Sequence, residues 1–266
     1  MTDQKPTIVL IHGLWMTPRS WEKWIDRFSG RGHQVLAPSW PGMEAENEDL
    51  IRDPSPIARV GVPEILDHYE RIIDKLDRRP IIMGHSFGGG FVQGLLDRGV
   101  GAAGVAVDPA PPKGVLKLPF STIRSGWSLL RNPANKHKAV SITPKQFRYA
   151  FGNTLSEDES QKVYERYAVP GAGGVIWEGA MANLKGLSPF RIDWAKPDRA
   201  PLLILGGGSD HVVPPSLSRA IFKHYEGPAT VEYKEFPGRS HYIVGQDGWE
   251  EVADYALTWA TDHAAR

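Results

Sequence analysis

Ser86 lies between two glycines in the stretch IIMGHSFGGGF, which runs from Ile81 to Phe91. A serine hydroxyl is a weak nucleophile, and it attacks a carbonyl carbon only when a neighbouring base takes its proton. Histidine commonly serves as that base, and a carboxylate then fixes its tautomer and stabilises its protonated form. Because the chain has 28 glycines, a bare Gly-x-Ser-x-Gly pattern is weak evidence, and its surroundings decide whether it matters.

Asp210 and His241 are the candidate partners of this serine. Asp210 lies in GGGSDHVVPP, directly after the apolar run 201–205, and His241 lies in PGRSHYIVGQDG, directly after the run 230–236. Open α/β sheets place their active sites in the loops at the carboxyl ends of their strands. If both runs are strands of such a sheet, these loops bring an acid and a base to one edge.

Short apolar runs rich in Val, Ile and Leu alternate along the chain with longer amphipathic stretches. This alternation is typical of a parallel sheet with crossover helices. The runs predict six strands, at 7–11, 34–38, 80–84, 103–107, 201–205 and 230–236, and helices at 18–28, 63–76 and 249–264. We therefore expect an α/β fold whose mostly parallel sheet of about six strands is flanked by helices.

Ser86 follows a predicted buried strand and precedes a helical stretch, FVQGLLDRG. A strand, a sharp turn and a helix are what a nucleophile elbow requires. With the order Ser, Asp, His, the chain resembles the α/β-hydrolase fold superfamily over essentially its whole length. The resemblance implies that Ser86 is the nucleophile, His241 the general base and then acid, and Asp210 the orienting carboxylate.

The stretch LIHGLW follows the first strand, and the family commonly has His-Gly at this place. The resemblance implies an oxyanion hole formed by the backbone N–H groups of Leu14 and Phe87, with Trp15 as the second choice for the first donor. We expect His12 to tie this loop through hydrogen bonds. Since the chain begins almost at this strand, we expect a minimal core without the family's usual first two strands.

Asp108, in VAVDPAPP, ends the strand that follows the elbow, and some family members take their triad acid from this position. The Gly-rich turn before Asp210 and the VVP after it match the family's usual acid loop better, so Asp210 is preferred. We find no histidine pair with convincing metal-ligand spacing, and we expect neither a metal nor a cofactor.

The alternation of apolar runs and amphipathic stretches is absent between 109 and 198. A segment of this length is too long for a plain loop in a compact domain. The family carries helical caps here, so we expect a core of 1–112 and 196–266 and a cap of 113–195. The resemblance and the aromatic content predict an apolar pocket. Its candidate substrate-binding residues are Trp15, Trp127, Phe147, Phe151 and Trp177.

Whole-chain charge is balanced, with 31 basic and 31 acidic residues, so we expect neither nucleic acid nor a membrane as a partner. The absence of cysteine excludes a thiolate nucleophile. No stretch is long enough for a signal h-region or a membrane span, which predicts a soluble, cytoplasmic protein. One local exception is the run 113–156, which has eight basic residues and no acidic one. We prefer to interpret it as a solvated basic face of the cap; the alternative is an approach that steers an anionic substrate toward the serine.

These features together predict a serine hydrolase that cleaves a small acyl substrate such as an ester, thioester or lactone. Serine at the elbow argues against the family branches that use a carboxylate nucleophile, the haloalkane dehalogenases and epoxide hydrolases. Two alternatives stay open: a hydroxynitrile-lyase-like lyase or C–C hydrolase, and a ligand-binding protein with little turnover. Oligomeric state is also open, a homodimer included.

Overall fold

The computed structural model describes residues 5–184, 186 and 188–264 of the chain. Within this part the strands are β1 (Ile8–Ile11), β2 (Val35–Leu36), β3 (Ile81–His85), β4 (Ala103–Val107), β5 (Ala139–Val140), β6 (Gly171–Ala172), β7 (Leu202–Gly207) and β8 (Val231–Phe236). Six of them form one sheet in the order β2-β1-β3-β4-β7-β8, and every neighbouring pair is parallel. The predicted α/β fold and its six strands are confirmed.

The helices are α1 (Glu22–Ser29), α2 (Asn47–Arg52), α3 (Val62–Ile73), α4 (Phe87–Asp97), α5 (Phe120–Leu130), α6 (Pro144–Ala150), α7 (Glu157–Tyr167), α8 (Gly173–Ala180), α9 (Pro215–His224) and α10 (Trp249–Ala264). The predicted last helix matches α10. The prediction of an α-helix from Pro18 is wrong for its first turn, because Pro18–Trp21 forms a 3-10 helix that is capped by Thr17. The α-helix α1 begins at Glu22.

Burial explains the sheet and the helices packed on it. The central strands β3 and β4 are buried at every position, as expected for parallel strands covered on both faces. Helix α3 buries the apolar stripe Ile65, Leu66, Tyr69 and Ile73. Among the described residues, no helix combines the length and the hydropathy that crossing a membrane requires.

Helices α5 to α8 lie between β4 and β7, in the segment where the sequence predicts a cap. This segment also contains a two-stranded antiparallel ribbon in which Ala139 faces Ala172 and Val140 faces Gly171. The sequence did not predict the ribbon, since strands of two residues carry no periodic signal. The ribbon is anchored on the first sheet loop, where the indole N–H of Trp15 donates to the carbonyl of Val140 at 2.9 Å.

Parallel pairing brings all the carboxyl ends of the sheet to one edge. The register pairs Ile11 with Gly84, His85 with Val107, and Val107 with Leu205. The loops after β1, β3, β4, β7 and β8 therefore meet there, and they carry the residues singled out from the sequence.

Candidate active site

Ser86 forms a sharp turn between β3 and α4. Its backbone has φ 58° and ψ −120°, in a region that residues with a side chain seldom occupy. Neighbouring backbone holds the strained turn: the Ser86 N–H donates to Val107 at 2.9 Å, and the Ser86 carbonyl accepts from Gly90 at 3.1 Å and Ala110 at 2.9 Å.

Two glycines allow this turn to pack. A Cβ atom at Gly84 would lie 2.2 Å from the carbonyl oxygen of Gly88, and one at Gly88 would lie 2.1 Å from the carbonyl oxygen of Ile11. Both contacts involve backbone atoms that cannot move aside. The Gly-x-Ser-x-Gly pattern is therefore a steric requirement of the turn.

His241 and Asp210 are joined by a short hydrogen bond, with 2.6 Å between Nδ1 and Oδ2, and both side chains are fully buried. The other carboxylate oxygen of Asp210 accepts from the N–H groups of Val212 at 2.6 Å and Val213 at 2.9 Å. Because the carboxylate accepts at Nδ1, that nitrogen carries the proton of the neutral ring. Nε2 is then the basic nitrogen, and it is buried with no hydrogen-bond partner among the described residues.

His85 links the serine turn to His241. Its Nε2 lies 2.8 Å from the His241 carbonyl oxygen, and the two rings are 4.6 Å apart between centroids. Burial and the neighbouring His241 hold the pKa of His85 well below its usual range, so it is neutral and donates this hydrogen bond. His85 therefore holds the backbone of His241 close to Ser86, the residue that follows His85 in the chain.

The His-Gly loop after β1 packs directly on the serine. A Cβ atom at Gly13 would lie 3.0 Å from Cβ of Ser86. Within the described chain, the backbone N–H groups of Leu14, Trp15 and Phe87 have no hydrogen-bond acceptor. Phe87 also opens α4, where the first N–H groups lack partners within the helix and the dipole favours negative charge.

His12 ties this loop, as the sequence predicts. Its Nδ1 lies 2.9 Å from the carbonyl oxygen of Gly13, and its Nε2 accepts the Trp40 N–H at 3.2 Å. Its ring stacks on Trp40 with 4.9 Å between centroids. Burial lowers the pKa of His12 to about 4. The ring is therefore neutral, with its proton on Nδ1.

Asp108 is a second buried carboxyl group beside the same histidine, but it is farther away. Its Oδ2 lies 4.0 Å from Nδ1 of His241, and its Oδ1 accepts the Gly207 N–H at 2.6 Å. Burial and the charge of Asp210 raise the pKa of Asp108 well above its usual range. The raised pKa favours the protonated form of Asp108, and its Oδ2 has no hydrogen-bond partner among the described residues.

Donor atoms of His85, Asp108 and His241 lie within 4.8 Å of one another, a spacing that could hold a metal ion. The nitrogens His85 Nε2 and His241 Nδ1 are already engaged with protein oxygens. That no metal acts at this site stays a prediction.

The predicted substrate-binding aromatics separate into two groups. Phe151 lies edge-on to His241 with 4.8 Å between centroids, and Trp15 lies 6.1 Å from Phe151. The Phe147 ring stacks on the Phe151 ring with 4.9 Å between centroids, and Phe147 is fully buried. Phe147 therefore supports the aromatic wall that Phe151 and Trp15 form.

The other two predicted aromatics are not brought to His241. Trp177 is half-buried on α8 with its indole N–H unpaired, and Trp127 is 61% exposed on α5. The sequence analysis missed Phe190, which lies 5.9 Å from the Phe87 ring. Phe190 stands in an irregular segment without periodicity, so no local signal marks it.

Residues 8–255 match the sequence model of the Alpha/beta hydrolase family. Among solved structures, the monoacylglycerol lipase of Paleococcus ferrophilus is 24% identical with a TM-score of 0.67, covering 96% of this chain and 94% of its own. A pyrethroid hydrolase from Sphingobium faniae JZ-2 is 16% identical with a TM-score of 0.72, covering 98% and 99%. An extracellular alpha/beta-hydrolase from a Paenibacillus species is 20% identical with a TM-score of 0.69, covering 96% and 98%. At these identities the likeness is one of fold.

The buried neutral His12 predicts acid sensitivity. The unfolded chain binds a proton at this residue near pH 6.5, whereas the folded chain binds one only near pH 4. The unfolding free energy should therefore fall as pH drops from 6.5 to 4, by about 3 kcal/mol from this residue. Urea unfolding at several pH values measures how the unfolding free energy changes with pH. We expect His12→Asn to reduce this slope and His137→Asn, at an exposed position, to leave it unchanged. A His12→Asn slope equal to that of the unmodified protein would contradict the assignment.

Proposed function

The chain belongs to the alpha/beta hydrolase family, and we propose that within it the protein is a serine hydrolase that cleaves carboxylic esters or related acyl bonds. One observation carries the proposal: the buried His241 is hydrogen-bonded to Asp210 through Nδ1 at 2.6 Å, its Nε2 has no partner among the described residues, and its carbonyl is held by His85, the residue before Ser86. A free, basic Nε2 next to a serine is what general-base activation of the hydroxyl needs.

The proposed reaction has two halves. Ser86 Oγ attacks the acyl carbon as its proton moves to Nε2 of His241, and the resulting oxyanion is held by the N–H of Phe87 and that of Leu14 or Trp15. The same Nε2 proton then passes to the leaving alkoxide, which departs as an alcohol. Water, deprotonated by Nε2, attacks the acyl-enzyme, and collapse of the second oxyanion releases the carboxylic acid and restores the serine hydroxyl.

Asp210 and Asp108 have different parts in this proposal. Asp210 accepts from Nδ1–H, holds the tautomer and stabilises the imidazolium that forms during each step. The raised pKa of Asp108 favours its protonated form, which limits the negative charge of the buried cluster. Asp108 is thus a positioning residue, because its Oδ1 accepts from the Gly207 N–H at the end of the strand that leads to Asp210.

The aromatic wall supports an apolar group in the substrate. Phe151 stands beside His241 and Trp15 beside Phe151, while Phe87 carries the proposed oxyanion donor beneath the cap helix α8, where Gly179 approaches its ring. The structural relatives include a protein named as a monoacylglycerol lipase and one named as a pyrethroid hydrolase. We propose a small-molecule ester with an apolar group, a cap of 113–195 over the site, and a cytoplasmic location.

A fluorophosphonate probe tests the nucleophile. We expect it to label the protein and not Ser86→Ala, because the phosphonyl group is attacked by the activated serine. The unlabelled enzyme should hydrolyse acyl esters of varied length, and labelling should abolish that turnover, while a parallel screen of thioesters, lactones and cyanohydrins defines the bond. Cyanohydrin cleavage without ester turnover would instead indicate a lyase, and a folded protein that neither labels nor turns over would indicate a binding protein.

Replacing each carboxyl group by an amide tests the division between the two acids. Asp210→Asn should lower kcat by roughly 10³ to 10⁴, because the amide cannot hold the required tautomer. Asp108→Asn keeps an acceptor for Gly207 and puts a neutral amide where the protonated carboxyl group is favoured, so we expect near-normal kcat/KM and an unchanged acid limb of its pH profile. An acid limb displaced to lower pH in Asp108→Asn would show that a negative charge had been removed and that Asp108 is ionised.

A further inference from the structure

Exposed apolar side chains concentrate in one short segment of the cap. Among the described residues, the large hydrophobic side chains most open to solvent include Leu116 (75%), Leu118 (69%), Phe120 (76%), Ile123 (44%) and Trp127 (61%). All five lie within 12 consecutive residues. A continuous apolar surface of this kind on a folded protein commonly marks an interaction site.

Helix α5 turns its apolar stripe outward. Phe120, Ile123 and Trp127 follow one another at i, i+3 and i+7, which places them on one face of the helix. A stripe with this spacing normally packs on the core, yet here it faces solvent, while Leu129 from the same helix is buried.

The same surface is strongly basic. The run 113–156 contains eight lysines and arginines and no acidic residue. Lys117, Arg124 and Lys145 are exposed, and Arg124 lies over the ring of Tyr149 at 4.0 Å. Lys117, Arg124 and Lys145 make no ion pair with the described acidic residues, whereas Arg148 lies 3.8 Å from Glu157.

An open groove joins the apolar and basic groups. It has a volume of about 450 Å³. It borders the loop that carries Asp210, since Ser125 Oγ donates to the His211 carbonyl at 3.3 Å and His211 Nδ1 lies 2.9 Å from the Tyr149 carbonyl oxygen. The side chains that line it include Phe120, Ile123, Arg124, Trp127, Lys145 and Tyr149.

We propose that this surface, formed by Leu116–Trp127 and the exposed cations beside it, docks on a lipid–water interface that carries negative charge. Aromatic and leucine side chains with flanking lysines and arginines are the composition that partitions into such an interface. Protein interfaces are depleted in lysine, which argues against an acidic protein as the occupant. The balanced charge of the whole chain led us to expect no membrane partner, but it conceals the local excess of basic residues in the run 113–156.

Vesicle co-sedimentation tests the proposal directly. The protein should bind vesicles of phosphatidylcholine mixed with phosphatidylglycerol, bind pure phosphatidylcholine vesicles much more weakly, and release as ionic strength rises. The double variant Phe120→Ser/Trp127→Ser should lose about 100-fold in partitioning, through lost apolar burial. Lys117→Gln/Lys145→Gln should lose about 30-fold on the anionic vesicles alone.

Matched controls keep the result interpretable. Ile51→Ser and Tyr255→Ser remove exposed apolar side chains outside the cap segment and should leave vesicle binding unchanged. Ser86→Ala should bind vesicles as the unmodified protein does, so the docking surface and the proposed esterase activity can fail independently. Circular dichroism and thermal unfolding of each variant establish that it is folded.

Three outcomes would overturn the proposal. The first is no binding to anionic vesicles, and the second is equal loss of binding in the control variants. The third is self-association: if sedimentation showed a dimer that Phe120→Ser/Trp127→Ser converts to a monomer, without vesicle binding, a second copy of the chain would be the occupant.

Discussion

The strained backbone of Ser86 is the constraint on which the rest of the site depends. Because β3 ends at His85 and α4 begins at Phe87, Ser86 alone forms the turn between strand and helix, and its φ is 58°. Hydrogen bonds to Val107 and from Ala110 tie the turn to the neighbouring strand and its loop. The glycines at 84 and 88 follow from the same turn, because backbone atoms occupy the space that any side chain there would need.

Burial of several titratable groups at one point sets the second constraint. His85, Asp108, Asp210 and His241 are all removed from water, where isolated charge is costly. Burial limits the charge within the cluster, because it lowers the pKa of His85 and raises the pKa of Asp108. The Asp210 carboxylate is stabilised by hydrogen bonds from His241 and from two backbone N–H groups.

The sequence predicted the sheet and the site loops well, because both leave strong local signals. Buried parallel strands are apolar runs, and Ser86 and Asp210 lie in the segments that follow two such runs, while His241 lies in the loop after the partly exposed strand β8. The ribbon of β5 and β6 could not be predicted, since each strand is two residues long. The exposure of Trp127 could not be predicted either, because the spacing of Phe120, Ile123 and Trp127 is the same whether the stripe faces the core or solvent. Which of two acids contacts His241 depends on distances between distant loops, which spacing along the chain does not encode.

A crystal structure of the protein with a phosphonate bound covalently to Ser86 tests the central claim most directly. The account predicts that the phosphoryl oxygen lies within hydrogen-bond distance of the Phe87 N–H and of the N–H of Leu14 or Trp15, with His241 Nε2 facing the Ser86 oxygen. A phosphoryl oxygen turned to solvent, or an adduct on another residue, would contradict it.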